Sequence, residues 1–264
     1  NILAGLFFMK GGGTVPVKES ITLPDDALRA EGWYRTALDN PNRVTIGGYD
    51  TSKTDLTAKG SKGISMFIMD MKLPGVSLGA HEKKMGINGY PTCDVVMEDV
   101  RVPKDCLVGP LHKGFQYAMK TLDGGRLGMA AQAVGVAQSA LDEAVKYAKE
   151  RKQFGKRIAD FQGISFMIAE MAADVEAARQ LVYHAAELKD ANSPEATTAC
   201  SIAKYFAAEA ANRCAYKAVQ IHGGYGYIRE YKVERIYRDA RICSIYEGTT
   251  QVQQMVIAGN LLKK

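Results

Sequence analysis

Glu247 stands in the segment Ile245-Tyr-Glu-Gly-Thr-Thr-Gln251, beside a glycine and just ahead of a hydroxyl able to cap a helix. A Glu near a helix N-terminus is commonly a solvated, mildly stabilising group. The setting offers a second reading. With Ile245 and Tyr246 as apolar neighbours, the carboxylate can be drawn out of water. Its pKa then rises toward neutrality, which suits a general base. Two other segments carry groups that suit a phosphate-bearing ligand. In Arg151-Lys-Gln-Phe-Gly155, the guanidinium of Arg151 can fork onto a pyrophosphate while Phe154 lies against a planar ring. The same run is also what a basic last helical turn closed by glycine looks like. Gly223-Gly-Tyr-Gly226 lets backbone approach a ligand closely, or simply stops a helix. It is not a dinucleotide fingerprint, which needs a strand before it and a helix after it. Glu143, Glu170, Glu176 and Glu209 fall within helical patterns and read as solvated or ion-paired faces.

The elements that must position these groups change character along the chain. Up to about Gly109, turn formers and β-branched residues dominate. Gly11-Gly-Gly13, Pro24-Asp-Asp26, Pro41-Asn42 and Gly47-Gly48 read as breakers. Ile64-Ser-Met-Phe-Ile-Met69 and Thr92-Cys-Asp-Val-Val-Met97 read as strands, with Pro74-Gly75 a turn and Val100-Arg-Val-Pro103 leading into a linker. From about His112 onward, Ala, Leu, Gln, Glu and Lys take over. Ile164, Met167, Ile168, Met171, Val175, Ala178, Val182 and Ala185 share one helical face, and apolar residues between them predict burial on more than one side. Ser193-Pro-Glu195 predicts a helix start, and the Ala-rich run 196–219 a helix stopped by Gly223-Gly224. Thr250-Gln-Val-Gln253 predicts a capping box, and Val252, Met255, Val256 and Gly259 one face of a last helix. The expectation is an α+β chain, mainly α: a partial β domain over 1–109, then an antiparallel bundle over 110–264 with at least four long helices.

Composition excludes several classes. The 264 residues are 47% hydrophobic and 24% charged, an ordinary globular mix. No apolar run approaches a membrane span. The net charge of +5 comes from Lys and Arg scattered among nearly as many acids, which argues against nucleic acid. Cys93, Cys106, Cys200, Cys214 and Cys243 are odd in number and include no C-x-x-C. His81, His112, His184 and His222 stand apart, so no metal site is expected. The N-terminus lacks an initiator Met and a leader, and reads as a chain beginning inside a longer one.

Taken in order, the motifs resemble the acyl-CoA dehydrogenase family. They are Lys62-Gly-Ile-Ser-Met-Phe-Ile68, Lys84-Met-Gly-Ile87, Glu98-Asp-Val-Arg-Val-Pro103, Gly114-Phe-Gln-Tyr-Ala-Met119, Leu122-Asp-Gly-Gly-Arg126, Arg151-Lys-Gln-Phe-Gly155, Gln220-Ile-His-Gly-Gly-Tyr-Gly226, Arg238-Asp239 and Tyr246-Glu-Gly-Thr249. The resemblance runs from about residue 63 to the C-terminus and is closest to the short-chain, butyryl-CoA type. It implies an N-terminal helical domain, a middle β domain and a C-terminal four-helix bundle, assembled as a homotetramer (a dimer of dimers). FAD would lie at the junction of β domain, bundle and a neighbouring subunit. Arg151, with Phe154, and Gln162 would reach the FAD of the adjoining chain. Gln220, Ile221, His222, Gly223 and Gly224 would wrap its adenosine-diphosphate end. Thr249, Thr250 and Gln251 would hold cofactor at the start of the last helix, where free N–H groups favour phosphate. Asp123, Gly124, Gly125, Arg126 and Gly248 would line the acyl-CoA channel.

Glu247 matches the family's usual base. Some members carry the base in the segment matching Leu122-Asp-Gly-Gly-Arg126, where this sequence offers glycines that cannot serve. The implied reaction removes an α-proton with Glu247 while hydride leaves the β-carbon of a short-chain acyl-CoA for the flavin. A ribityl hydroxyl and the Glu247 N–H would steady the enolate oxygen, and electrons would pass to an electron-transfer flavoprotein. The expected compartment is the bacterial cytoplasm, or the mitochondrial matrix in a eukaryote. The N-terminal helical domain and the first half of the β domain are expected to be missing. Two other readings stay open: a non-catalytic helical-bundle relative or inactive fragment serving assembly, and an enzyme reducing an enoyl-CoA in the reverse direction.

Overall fold

The structure is a computed structural model that describes residues 64–263 and the backbone of the strand Arg43–Tyr49. The breakers expected at Gly11-Gly-Gly13, Pro24-Asp-Asp26 and Pro41-Asn42, and Lys62-Gly63 of the first motif, lie outside the described residues. The chain divides into two compact units. One contains, of the described residues, 64–82 and 91–121 together with the strand Arg43–Tyr49; the other contains Lys83–Tyr90 and 122–263.

In the first unit, β1 (Arg43–Tyr49) pairs antiparallel with β2 (Ile64–Asp70), Arg43 opposite Asp70 and Tyr49 opposite Ile64. A two-residue strand, called β5 below (Leu107–Val108), takes the other edge of β2. Ile64, Ser65, Met66, Phe67 and Met69 are buried on both faces of β2, which is why it reads as an apolar run and not as alternation. β3 (Val76–Leu78) pairs with β4 (Val95–Met97), joined to β2 by the expected turn at Gly75. Met69 and Val100 form a small core with Leu73, Val76, Val95, Met97 and Val102. Two expectations are corrected. Gly47-Gly48 does not break the chain but lies inside β1, where the ladder to Met66 and Ser65 carries it. The strand expected from Thr92 begins only at Val95, where partners on β3 begin.

The second unit is helical. Its long elements are α1 (Gly114–Glu150, whose first turns belong to the other unit), α2 (Gln162–Asp190) and α3 (Ala196–His222). α4 (Lys232–Ala240) and α5 (Thr250–Leu261) are short, so among the described residues three long helices and two short ones stand where at least four long ones are expected. A small hairpin, β6 (Lys152–Gln153) with β7 (Lys156–Arg157), joins α1 to α2. Pairings give the directions. Arg213 meets Asp174 and Lys217 meets Glu170, so α3 runs antiparallel to α2. Asp123 meets Thr197 and Tyr147 stacks on His222, so α3 runs parallel to α1.

The core explains the alanines. Ala133, Ala137, Ala140 and Ala144 of α1 are fully buried with Ala203, Ala207, Ala211 and Ala215 of α3 and the stripe Met171, Val175, Ala178, Val182 and Ala185 of α2. Small side chains bring helix axes to the lower end of the usual 8–10 Å range. That stripe is the only buried one on α2. The burial expected on a further side is not found: Phe166 is 60% exposed and Tyr183 56%, because among the described residues no second element packs on that face. α3 ends as expected, with Gly223 at φ 59 as its C-cap.

Candidate active site

The base candidate sits where two short helices meet. After α4, a 3-10 turn (Arg241–Ser244) leads to Tyr246, whose N–H donates to Ile242 O at 3.1 Å. The next two residues are both left-handed, Glu247 at φ 53 and Gly248 at φ 88. A side-chain-bearing residue held there costs about 1–3 kcal/mol, so something must hold it. Thr249 then caps α5, its Oγ1 accepting from Val252 N at 3.3 Å. The cap is thus Thr249, one residue before the expected Thr250. Gln253 does not reach back to the cap N–H; its Nε2 donates to Glu247 O at 3.1 Å and Gly248 O at 3.0 Å. The face marked by Val252, Met255, Val256 and Gly259 is mostly exposed, with Met255 73% exposed; Thr250 and Gln253 face inward, where the turn's carbonyls and Glu209 give them partners.

The left-handed turn aims the Glu247 carboxylate at α1. A Cβ built on Gly125 would come within 2.6 Å of Glu247 Oε2, so the missing side chain is the space the carboxylate occupies. Glu247 is half-buried, and that burial pushes its pKa above the ordinary value; Arg126 and Lys204 pull the other way. Arg126 is buried and ion-paired with Asp123 at 2.9 Å, and Asp123 also accepts from Thr197 Oγ1 at 2.7 Å. Lys204 is 1% exposed, its Nζ donates to Gly248 O at 2.7 Å, and desolvation brings its pKa down to about 8. Of the residues expected around the acyl-CoA, Asp123, Gly125, Arg126 and Gly248 therefore gather at Glu247. Gly124 does not: its open side faces Lys189 at ordinary van der Waals distance.

The expected cofactor residues fall into two groups. Arg151, Gln220, Ile221, His222, Gly223 and Gly224 line one groove of about 500 Å³, with Tyr147, Gln153 and Tyr225 among the others. Arg151 lies over the Tyr225 ring, 5.2 Å from its centroid, and no carboxylate pairs with it among the described residues. A Cβ on Gly223 or Gly224 would meet nothing within 4 Å, so their backbone is open to a ligand. Tyr147 and His222 stack at 4.1 Å, and burial pushes the His222 imidazole toward neutrality. Phe154 is 91% exposed on the β6–β7 hairpin, edge-on to Phe161, and Gln162 is the exposed first residue of α2; neither lines the groove. Thr249, Thr250 and Gln251 stand at the start of α5: Thr249 caps it, Thr250 Oγ1 donates to Glu209 Oε1 at 2.8 Å, and Gln251 is exposed. A guanidinium without a carboxylate partner among the described residues, in one groove with unobstructed glycine backbone, fits a pyrophosphate-bearing group such as the one the resemblance implies.

Three site residues escaped the sequence reading: Lys204, Gln253 and Glu209. Lys204 had a signal. It recurs four residues from Cys200 and Ala208 on the buried stripe of α3, where a lone charge is anomalous. From sequence, Gln253 reads as a cap partner, and Glu209 as a solvated or ion-paired face.

The family described as "Acyl-CoA dehydrogenase, C-terminal domain" matches residues 112–262. The chain is 56% identical over 259 residues to the caffeyl-CoA reductase-Etf complex subunit CarC of Acetobacterium woodii, covering 93% of this chain and 68% of that protein. It is 50% identical to the short-chain specific acyl-CoA dehydrogenase of Clostridium acetobutylicum, over 83% of this chain and 59% of that one. Butyryl-CoA dehydrogenase from Megasphaera elsdenii superposes with a TM-score of 0.80 at 47% identity, covering 84% of this chain and 56% of that chain. The chain thus spans little more than half to about two thirds of the length of these relatives. The ordered motifs, the bundle, the match over most of the helical part and the identity to these enzymes place the chain in the acyl-CoA dehydrogenase family.

Proposed function

We propose that the holoenzyme built from this chain oxidises a short-chain acyl-CoA thioester to its trans-2-enoyl-CoA, with Glu247 as the base. The observation that carries this reading is the Glu247 carboxylate, half-buried above Gly125 and raised in pKa by that burial. A carboxylate in that state takes a proton more readily than one in water and still ionises, helped by Arg126 and Lys204. Glu247 removes the proton next to the thioester carbonyl, and its backbone N–H donates to the oxygen that gains charge. Arg126, held by Asp123, adds positive potential at the same place. FAD, when bound, would supply the acceptor for the hydride that leaves the β-carbon. Arg151 and the open backbone of Gly223 and Gly224 would hold its pyrophosphate, with Gln220, Ile221 and His222 beside them. Phe154, Gln162, Thr249, Thr250 and Gln251 would complete the contacts in a homotetramer, and electron-transfer flavoprotein would collect the electrons. The compartment consistent with this reading is the bacterial cytoplasm, or the mitochondrial matrix in a eukaryote.

Enoyl-CoA reduction is the second reading, favoured by the 56% identity to a caffeyl-CoA reductase subunit. The same residue then delivers the proton. Turnover of butyryl-CoA against crotonyl-CoA with one electron carrier separates the two directions. The assignment of the base is tested by Glu247→Gln in the flavin-loaded enzyme. Flavin and acyl-CoA binding are retained, and turnover falls by about 10²–10⁴-fold, the usual worth of a general base. Turnover at the parental rate removes Glu247 from the mechanism.

A further inference from the structure

Lys204 is charged, almost fully buried and part of no expected motif. A lysine is seldom buried without a partner that repays desolvation. Its Nζ reaches a backbone carbonyl, Gly248 O, at 2.7 Å. That carbonyl belongs to the second of two consecutive left-handed residues, and the first of them is Glu247. Gln253 Nε2 supplies the other donor, shared between Glu247 O and Gly248 O. The two inward carbonyls of the strained turn are therefore held by one amide and one ammonium.

Lys204 is also part of a row. Along the same side of α3, Glu209 accepts from Thr250 Oγ1, and Asn212 Nδ2 donates to Ser244 Oγ at 3.0 Å and Ala240 O at 3.3 Å. One helix face thus grips the chain before, at and after the base. Among the described residues, the charged and titratable groups around Glu247 and Lys204 are Arg126 and its partner Asp123 from α1, Glu209 from α3, and Cys243 and Tyr246 from the turn itself, with Arg126, Lys204 and Tyr246 acting on Glu247 and Arg126, Glu209 and Cys243 on Lys204. Among them, only Lys204 combines a positive charge with a bond to the Glu247–Gly248 backbone.

We propose that Lys204 is a positioning residue for proton transfer: through the Gly248 carbonyl its ammonium fixes the left-handed turn that sets the Glu247 carboxylate above Gly125. This rests on Glu247 being the base. Two consequences separate it from a packing role. The charge lies close enough to favour the ionised carboxylate, and the bond fixes where that carboxylate stands. A neutral replacement that keeps a donor loses the first; an apolar replacement loses both.

The test compares Lys204→Gln and Lys204→Met in the flavin-loaded enzyme, with Glu247→Gln as the reference. The readouts are flavin content, kcat and KM for butyryl-CoA, and the ionisation of the Glu247 carboxyl followed by infrared difference titration against Glu247→Gln. Lys204→Gln is expected to keep its flavin and its KM, to lose about tenfold to a hundredfold in kcat, and to titrate Glu247 at higher pH. Lys204→Met is expected to show the same displacement and a larger loss of kcat. A kcat and a titration both at parental values in Lys204→Gln overturn the proposal, whatever Lys204→Met does to folding. A fall in thermal stability with an unmoved titration overturns it too, since a packing role alone gives that result. If Glu247→Gln is inactive while Lys204→Gln behaves as the parent, only the Lys204 assignment fails. If Glu247→Gln turns over normally, the base assignment fails, and the titration still reports on Lys204.

Discussion

A carboxylate that is useful as a base at neutral pH is a carboxylate the fold would rather not ionise. Burial raises the Glu247 pKa above its ordinary value of 4.5, and the folded state therefore holds that proton where the unfolded chain has released it. As pH climbs from 4.5 through the folded-state pKa, the linked stability is lost; above both values the loss is complete and constant. Glutamine at 247 keeps the shape and never ionises. Glu247→Gln is thus expected to melt at a higher temperature than the parent at pH 8, with the difference shrinking as pH falls toward 4.5, in thermal scans at matched flavin loading. A parental melting point at every pH would mean that the carboxylate is not desolvated. Glu247 could be named from sequence because the motif around it is local. Its activation could not, because it depends on Gly125, Arg126 and Lys204, which lie at 43 or more positions' remove and meet it only when α1 and α3 pack.

Elements were legible where their cause is local. Ala-rich periodicity gave α3, and glycine at a positive φ gave its end. The α5 cap was placed one residue late because Thr249 and Thr250 are adjacent hydroxyls, and tertiary partners decide between them: Glu209 takes Thr250, leaving Thr249 for the helix. The exposed face of α2 departs from expectation for a related reason, since apolar spacing reports what can be buried and not which of the described residues pack on it. Gly125 makes the same point from the other side. Within α1 a glycine weakens the helix by up to about 1 kcal/mol relative to alanine. Its use appears only in the contact with Glu247 Oε2, 2.6 Å from where a Cβ would sit. Because that atom ends a flexible side chain, Gly125→Ala is absorbed by moving the carboxylate. The variant is expected to melt at or slightly above the parental temperature, to retain flavin, and to lose about tenfold to a hundredfold in kcat. Calorimetry with steady-state kinetics checks both halves, and full activity would show that the carboxylate works from somewhere else.

Across the molecule, the expected cofactor residues resolve into a groove and a helix start. Arg151 is separated from Gln220 by nearly seventy residues, yet both line the groove, since α1 and α3 run parallel and end at the same level. No reading of spacing could have joined them without that pairing. Among the described residues Arg151 has no carboxylate partner. A guanidinium with a carboxylate partner would be part of the scaffold, but Arg151 rests on the Tyr225 ring beside open glycine backbone. Its removal should therefore leave the apo bundle within about 0.5 kcal/mol of the parent, as for a surface change without a structural partner. The loss appears in the ligand. A charge-assisted contact to phosphate contributes about 1.5–3 kcal/mol, so Arg151→Ala is expected to weaken flavin binding by about one to two orders of magnitude. Flavin absorbance per subunit, titrated with FAD, measures this, and urea unfolding of the flavin-free protein measures the other. A drop in apo stability with unchanged flavin affinity would make Arg151 a scaffold residue and leave the groove without its anion contact. Weakened flavin in an unchanged bundle would tie the groove to the pyrophosphate, and with it the half of the cofactor site that lies far along the chain from Glu247.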